Sequence, residues 1–100
     1  MNGLECEGDM TARITINIAE DGELEIWLNE AGRDQLVKGL RRLSESSDHF
    51  HLGQAEGSEV LLSSRTYRPS DKLIRTAKVL FRTDNWDRQY FPHVFGANAG

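Results

Sequence analysis

The sequence predicts an α+β fold, a mostly antiparallel sheet of four to five strands in ββαβββ order with one main helix on one face. Three observations carry this. Residues 13–28 alternate apolar and polar side chains with period two around Asp21-Gly22. Residues 29–43 then switch to helical spacing. Period two returns in three later stretches, within residues 49–82. One helix suffices to cover one face of such a sheet.

The first strand places Ile14, Ile16 and Ile18 on one side and Arg13, Thr15 and Asn17 on the other, with β-branched residues on the apolar side. Asp21-Gly22 is a strong hairpin signal. The second strand repeats the alternation, Leu24, Ile26 and Leu28 against Glu23, Glu25 and Trp27. All six aliphatic side chains share one face, which the helix is expected to cover, and both strands read as half-buried. Asn29 is a helix N-cap, and Glu30 places negative charge in the first turn. Leu36, Val37, Leu40 and Leu43 form an amphipathic stripe, and Arg41 and Arg42 suit the C-terminal end. Gly32 and Gly39 weaken a helix interior but permit close approach to a sheet. The polar run from Ser44 to Asp48 ends the helix.

His49-Phe50-His51-Leu52 alternates again and turns at Gly53. Glu59–Ser64 is a strand candidate with Val60 and Leu62 on one face, and the Pro69 region is a loop. Leu73–Arg82 reads mostly as strand, with Ala77, Val79 and Phe81 on one face. Trp86 and Tyr90 suit one helical turn capped at Asp84, which Pro92 breaks. The domain reading is a flexible segment 1–10, one α+β domain 11–95 with an aromatic-rich segment 83–95, and a frayed tail 96–100.

Composition excludes several classes. One hundred residues suit one domain, and 38% hydrophobic with 28% charged residues supports a packed core. A net charge of −4 argues against a general nucleic-acid binder. No apolar run approaches a membrane span, and one cysteine, Cys6, suits a reducing cytoplasm. The charge is uneven: residues 1–50 carry 11 acids and 5 bases, residues 51–100 carry 5 acids and 7 bases. An acidic half suits a basic partner.

Catalytic motifs are nearly lacking. His49 and His51 point the same way from a strand, so they are the candidate metal ligands, with His93 or a carboxylate needed as a third. No catalytic residues and no cofactor are expected: no nucleophile sits in a G-x-S-x-G frame and no glycine-rich phosphate loop occurs. Glu23 and Glu25 share a solvated face, which gives no reason for a raised pKa. The candidate partner-binding residues are Glu20, Asp21, Glu23, Glu25 and Trp27, a tryptophan among acids on the exposed hairpin face. Trp86, Tyr90, Phe91 and Phe95 either pack on their own sheet or meet a second copy.

The stretch Asn29–Leu52, with its Asn29 cap, Ala31-Gly32, Leu36, Leu40, Leu43 and Asp48-His49-Phe50-His51-Leu52, resembles the immunity protein 32 family of bacterial polymorphic toxin systems. The resemblance covers roughly a quarter of the chain by motif and most of it by element order. It implies a non-catalytic inhibitor that binds and neutralises a toxin made by the same cell. With a basic toxin domain as partner, the hairpin carboxylates would stand in for phosphates. The alternatives are a stand-alone interaction or regulatory module, homodimeric through the aromatic tail, and a small metal-dependent enzyme using His49 and His51.

Overall fold

The computed structural model describes residues 11–96, so the expectations for segments 1–10 and 97–100 lie outside the described residues. The chain is α+β. Strands β1 (Ile14–Ile18) and β2 (Leu24–Leu28) are followed by helix α1 (Glu30–Arg41). Then come β3 (His49–Gly53), β4 (Val60–Leu61), β5 (Lys72–Leu73), β6 (Thr76–Leu80), helix α2 (Asp84–Tyr90) and a 3-10 turn (Pro92–Phe95).

The finer arrangement differs from the expected single sheet. Six strands form two three-stranded sheets, in the orders β2-β1-β5 and β4-β3-β6, and a second helix follows them. The expected strand over Leu73–Arg82 is broken at Ile74-Arg75: β5 pairs with β1, and β6 pairs antiparallel with β3. β4 is short and runs parallel to β3, with Leu52 opposite Val60. One bond ties the sheets together at β1: just past β4, the Ser63 N–H donates to the Ile14 carbonyl (2.7 Å). The Ile74 N–H donates to the Ile16 carbonyl (2.8 Å) and continues the β1–β5 ladder past Leu73.

The hairpin forms where expected. Ile14, Ile16 and Ile18 face Leu28, Ile26 and Leu24 across the ladder. Its turn closes with the Gly22 N–H donating to the Ala19 carbonyl (2.8 Å), and Gly22 takes φ of +93°, which only glycine adopts without strain. Asn29 caps α1 as expected: its side-chain oxygen accepts from the Gly32 N–H (2.7 Å) and the Arg13 N–H (2.8 Å), fixing the helix to the start of β1. Gly32 is required there, because a Cβ would lie 2.4 Å from the Arg13 carbonyl oxygen. Gly39 likewise seats the helix on the Phe50 ring.

Ile14, Ile16, Phe50, Leu52, Val60 and Leu62 form the buried core, with Leu36, Leu43, Ile74, Ala77 and Val79 packed around it. The two hairpin strands were expected to be alike, and they are not. β1 is buried on both faces: Ile14 is 0%, Thr15 1% and Asn17 0% exposed. β2 is open on its aliphatic face: Leu24, Ile26 and Leu28 are 55%, 50% and 39% exposed. The helix packs on the core through Leu36 and through Gly39 on Phe50, the expected cover of the β2 aliphatics fails, and β2 is left as a sheet edge. In α2 the cap is Thr83, whose hydroxyl accepts from the Trp86 N–H (3.1 Å), rather than the expected Asp84.

Candidate functional site

The five hairpin residues singled out from the sequence divide into two groups. Glu20, Asp21 and Glu23 are exposed around the turn. The Asp21 carboxylate accepts from the Glu23 N–H (3.0 Å), which holds two of the three acids in a fixed arrangement. None of the three forms an ion pair among the described residues.

Glu25 and Trp27 belong to an internal network. The Trp27 indole N–H donates to Asn17 Oδ1 (2.8 Å), and Asn17 Nδ2 donates to Glu25 Oε1 (3.0 Å). The Trp27 ring stacks on Tyr67 with centroids 4.0 Å apart, and the Arg68 guanidinium lies 5.4 Å from its centre. Arg68 ion-pairs with Glu25 and with Asp71, whose side chain is fully buried (3.0 Å). Its pKa is raised, first by the hydrogen bond to Asp71. The cover over Trp27 is therefore the 65–71 loop. No sequence pattern marked Tyr67, Arg68 or Asp71, because Tyr67 and Arg68 meet Trp27 and Glu25 some forty positions away and Asp71 acts through Arg68.

The aliphatic edge of β2 is the hairpin's other open feature. The Asn29 N–H donates to the Arg13 carbonyl (3.1 Å) and the Ala19 N–H to the Glu23 carbonyl (2.8 Å). Antiparallel ladders alternate, so the odd-numbered residues of β2 bond to β1. The N–H and C=O groups of Leu24, Ile26 and Leu28 point away from β1, and their side chains are the exposed ones. On α1, Arg33, Val37 and Leu40 share one flank by helical spacing. Val37 and Leu40 are exposed, and Arg33 shares a shallow depression with Leu28, so this flank continues the aliphatic edge.

His49 and His51 share the exposed face of β3, with ring centroids 5.2 Å apart. Each holds its own carboxylate. His49 Nδ1 bonds Asp48 Oδ1 (2.8 Å), and Arg82 bonds the other Asp48 oxygen (2.9 Å). Glu59 accepts from the His51 N–H (2.8 Å) and lies 3.5 Å from its ring nitrogen. The bond from His49 holds Asp48 below its usual pKa, aided by Arg82; the His51 amide does the same for Glu59. Among the described residues no three His, Cys, Asp or Glu side chains are grouped to hold a metal. His93 lies instead in the 3-10 turn, edge-on to Phe91.

The C-terminal unit packs on itself. Trp86 meets Tyr90 (4.7 Å) and Phe91 (5.3 Å), and Arg82 and Arg88 lie over Trp86 and Phe95. Neither α2 nor the 3-10 turn contains a buried residue. Tyr90, Phe91, Val94 and Phe95 face outward.

The class these features define is an α+β chain with two small joined sheets and two open apolar surfaces. No protein-family model, no curated protein and no solved structure matches it. No helix among the described residues is long and apolar enough to cross a membrane.

Proposed function

We propose that this chain is a non-catalytic, cytoplasmic binding protein that occupies and neutralises a bacterial toxin domain. The observation that supports it is the apolar surface the fold leaves open. Among the described residues, thirteen large hydrophobic side chains are exposed against six buried. Scattered exposed leucines are ordinary, but clustered ones mark protein interfaces. Here they cluster on the β2 edge and on the C-terminal aromatics, which suits a chain completed by a partner. The resemblance to the immunity protein 32 family supplies the kind of partner. The carboxylates of Glu20, Asp21 and Glu23 suit a basic cleft, with Glu25 and Trp27 at the margin of the contact.

The test is co-expression with the toxin domain encoded beside this gene. The expected outcome is restored growth and a complex with one toxin per chain by native mass spectrometry. A Glu20→Gln/Glu23→Gln variant should associate more slowly and with a weaker salt dependence. A folded chain that neither binds nor rescues refutes the reading. An unchanged association rate removes the turn from the interface.

A second reading is a stand-alone interaction module whose copies meet through Trp86, Tyr90, Phe91 and Phe95. The outward aromatics of the C-terminal unit favour it. A mass that falls to the monomer in a Trp86→Ala/Phe95→Ala variant would support it. The small metal-dependent enzyme draws no support from the His49 and His51 contacts, each ring being paired with its own carboxylate.

A further inference from the structure

We infer that the β2 edge is a self-association surface, on which β2 of a second copy pairs antiparallel about a two-fold axis at Ile26. This goes beyond toxin binding: the occupant here is a second copy, and since the same edge and turn serve both contacts, the two exclude one another.

The first ground is the unfinished ladder. β2 is an edge strand, and the outward N–H and C=O groups of Leu24, Ile26 and Leu28 form a row ready to accept another strand. Proteins usually guard such an edge with proline, lysine or a bulge within the strand. Leu-Glu-Ile-Trp-Leu has none of these, and its one charge, Glu25, is taken up by Arg68 and Asn17 on the other face. The same three residues expose their side chains, so one approaching strand would satisfy the backbone and cover the aliphatics together.

The second ground is symmetry. The outward pattern Leu24-x-Ile26-x-Leu28 reads the same in both directions about Ile26. A two-fold contact requires a self-complementary patch. Pairing Ile26 with its mate sets Leu24 against Leu28 of the second copy at both ends. Two three-stranded sheets become one of six strands, with the aliphatic stripes continuous.

The third ground is charge. An antiparallel pair carries the acidic turn of each copy (Glu20, Asp21, Glu23) to the other copy's start of α1. That end holds Arg13 and Arg33 against Glu30 and Asp34, with Arg33 bonded to Asp34 (3.0 Å). It is neutral overall, and the helix N-terminus adds positive potential. A parallel pair in register would instead set the two acidic turns side by side. Charge thus selects the arrangement that the palindrome permits.

The experiment is sedimentation velocity on the purified full chain, from low micromolar to hundreds of micromolar. A monomer–dimer equilibrium is expected. Ile26→Lys should weaken it by about a hundredfold or more, since the contact would bury an unpaired ammonium. Ile26 is half exposed in the monomer, so the variant should fold. Leu28→Lys serves as a second variant if it does not. In the dimer the amides of Leu24, Ile26 and Leu28 should gain protection from hydrogen exchange, while those of Glu25 and Trp27 are protected throughout. A monomer across the range overturns the inference. So does a dimer that survives both lysine variants and is lost in Tyr90→Ser/Phe95→Ser, which would place the contact on the C-terminal unit.

Discussion

Replacing Thr15 with valine should stabilise this protein, although it removes a polar group from a polar row. Thr15 is 1% exposed, and its hydroxyl oxygen finds no hydrogen-bond partner among the described residues. A buried hydroxyl without a partner costs about 1–3 kcal/mol in protein mutational series. Valine has the same branched shape, suits a strand and carries no such group. The expected gain is about 1–2 kcal/mol. For a chain of this length that raises the melting temperature by roughly 4–8 °C per kcal/mol. Asn17, two residues along the same face, should behave oppositely. It is 0% exposed, but its amide bridges Trp27 and Glu25. Asn17→Ala removes two hydrogen bonds, each worth about 0.5–1.5 kcal/mol, and leaves a small cavity. A loss of about 2–3 kcal/mol follows. Urea titrations of the two variants, followed by circular dichroism, give both signs. A Thr15→Val variant less stable than the parent by 1 kcal/mol or more, on the scale of a lost hydrogen bond, would refute the reasoning.

Three further outcomes are expected. Gly32→Ala should cost about 2 kcal/mol or more, because backbone must shift to clear the Arg13 carbonyl, and this exceeds the roughly 1 kcal/mol that alanine returns to a helix; thermal melts measure the difference. Asp48 and Glu59 have lowered pKa values in the fold, so their contributions are complete above the ordinary values of 3.8 and 4.5 and are lost as pH falls through the lower folded ones. Urea midpoints across acid pH should therefore fall less steeply for Asp48→Asn/Glu59→Gln than for the parent; parallel curves would refute this. Tyr67→Ala should uncover the Trp27 ring and shift its fluorescence to longer wavelength in a Trp86→Phe background, where Trp27 is the sole reporter.

Local chemistry was legible wherever the partners are close in sequence. Asn29 as a cap, the hairpin at Asp21-Gly22, Phe50 and Leu52 opposite the two histidines, and Val60 with Leu62 in the core all follow from spacing, since a cap, a turn and a pleat are each set within a few residues. The glycines at 32 and 39 announced a close approach, though not to which carbonyl or ring. The hairpin acids were likewise visible, but their division was not. Glu25 and Trp27 are taken into a network by Tyr67, Arg68 and Asp71, which adjoin them only because β5 returns along β1.

β1 and β2 show most plainly what the sequence decides and what the fold decides. Their alternation is the same, and with the turn between them it gave their antiparallel pairing and which side chains share a face. It could not say that β1 would be central and covered on both faces while β2 stood at an edge. Alternation sorts side chains between two faces of one strand. Burial depends on what else reaches each face, and here that is a helix seated on β1 by Gly32, a loop folded over Trp27 and two segments bonded to the far side of β1. Those contacts are long-range, and only the tertiary structure assigns them.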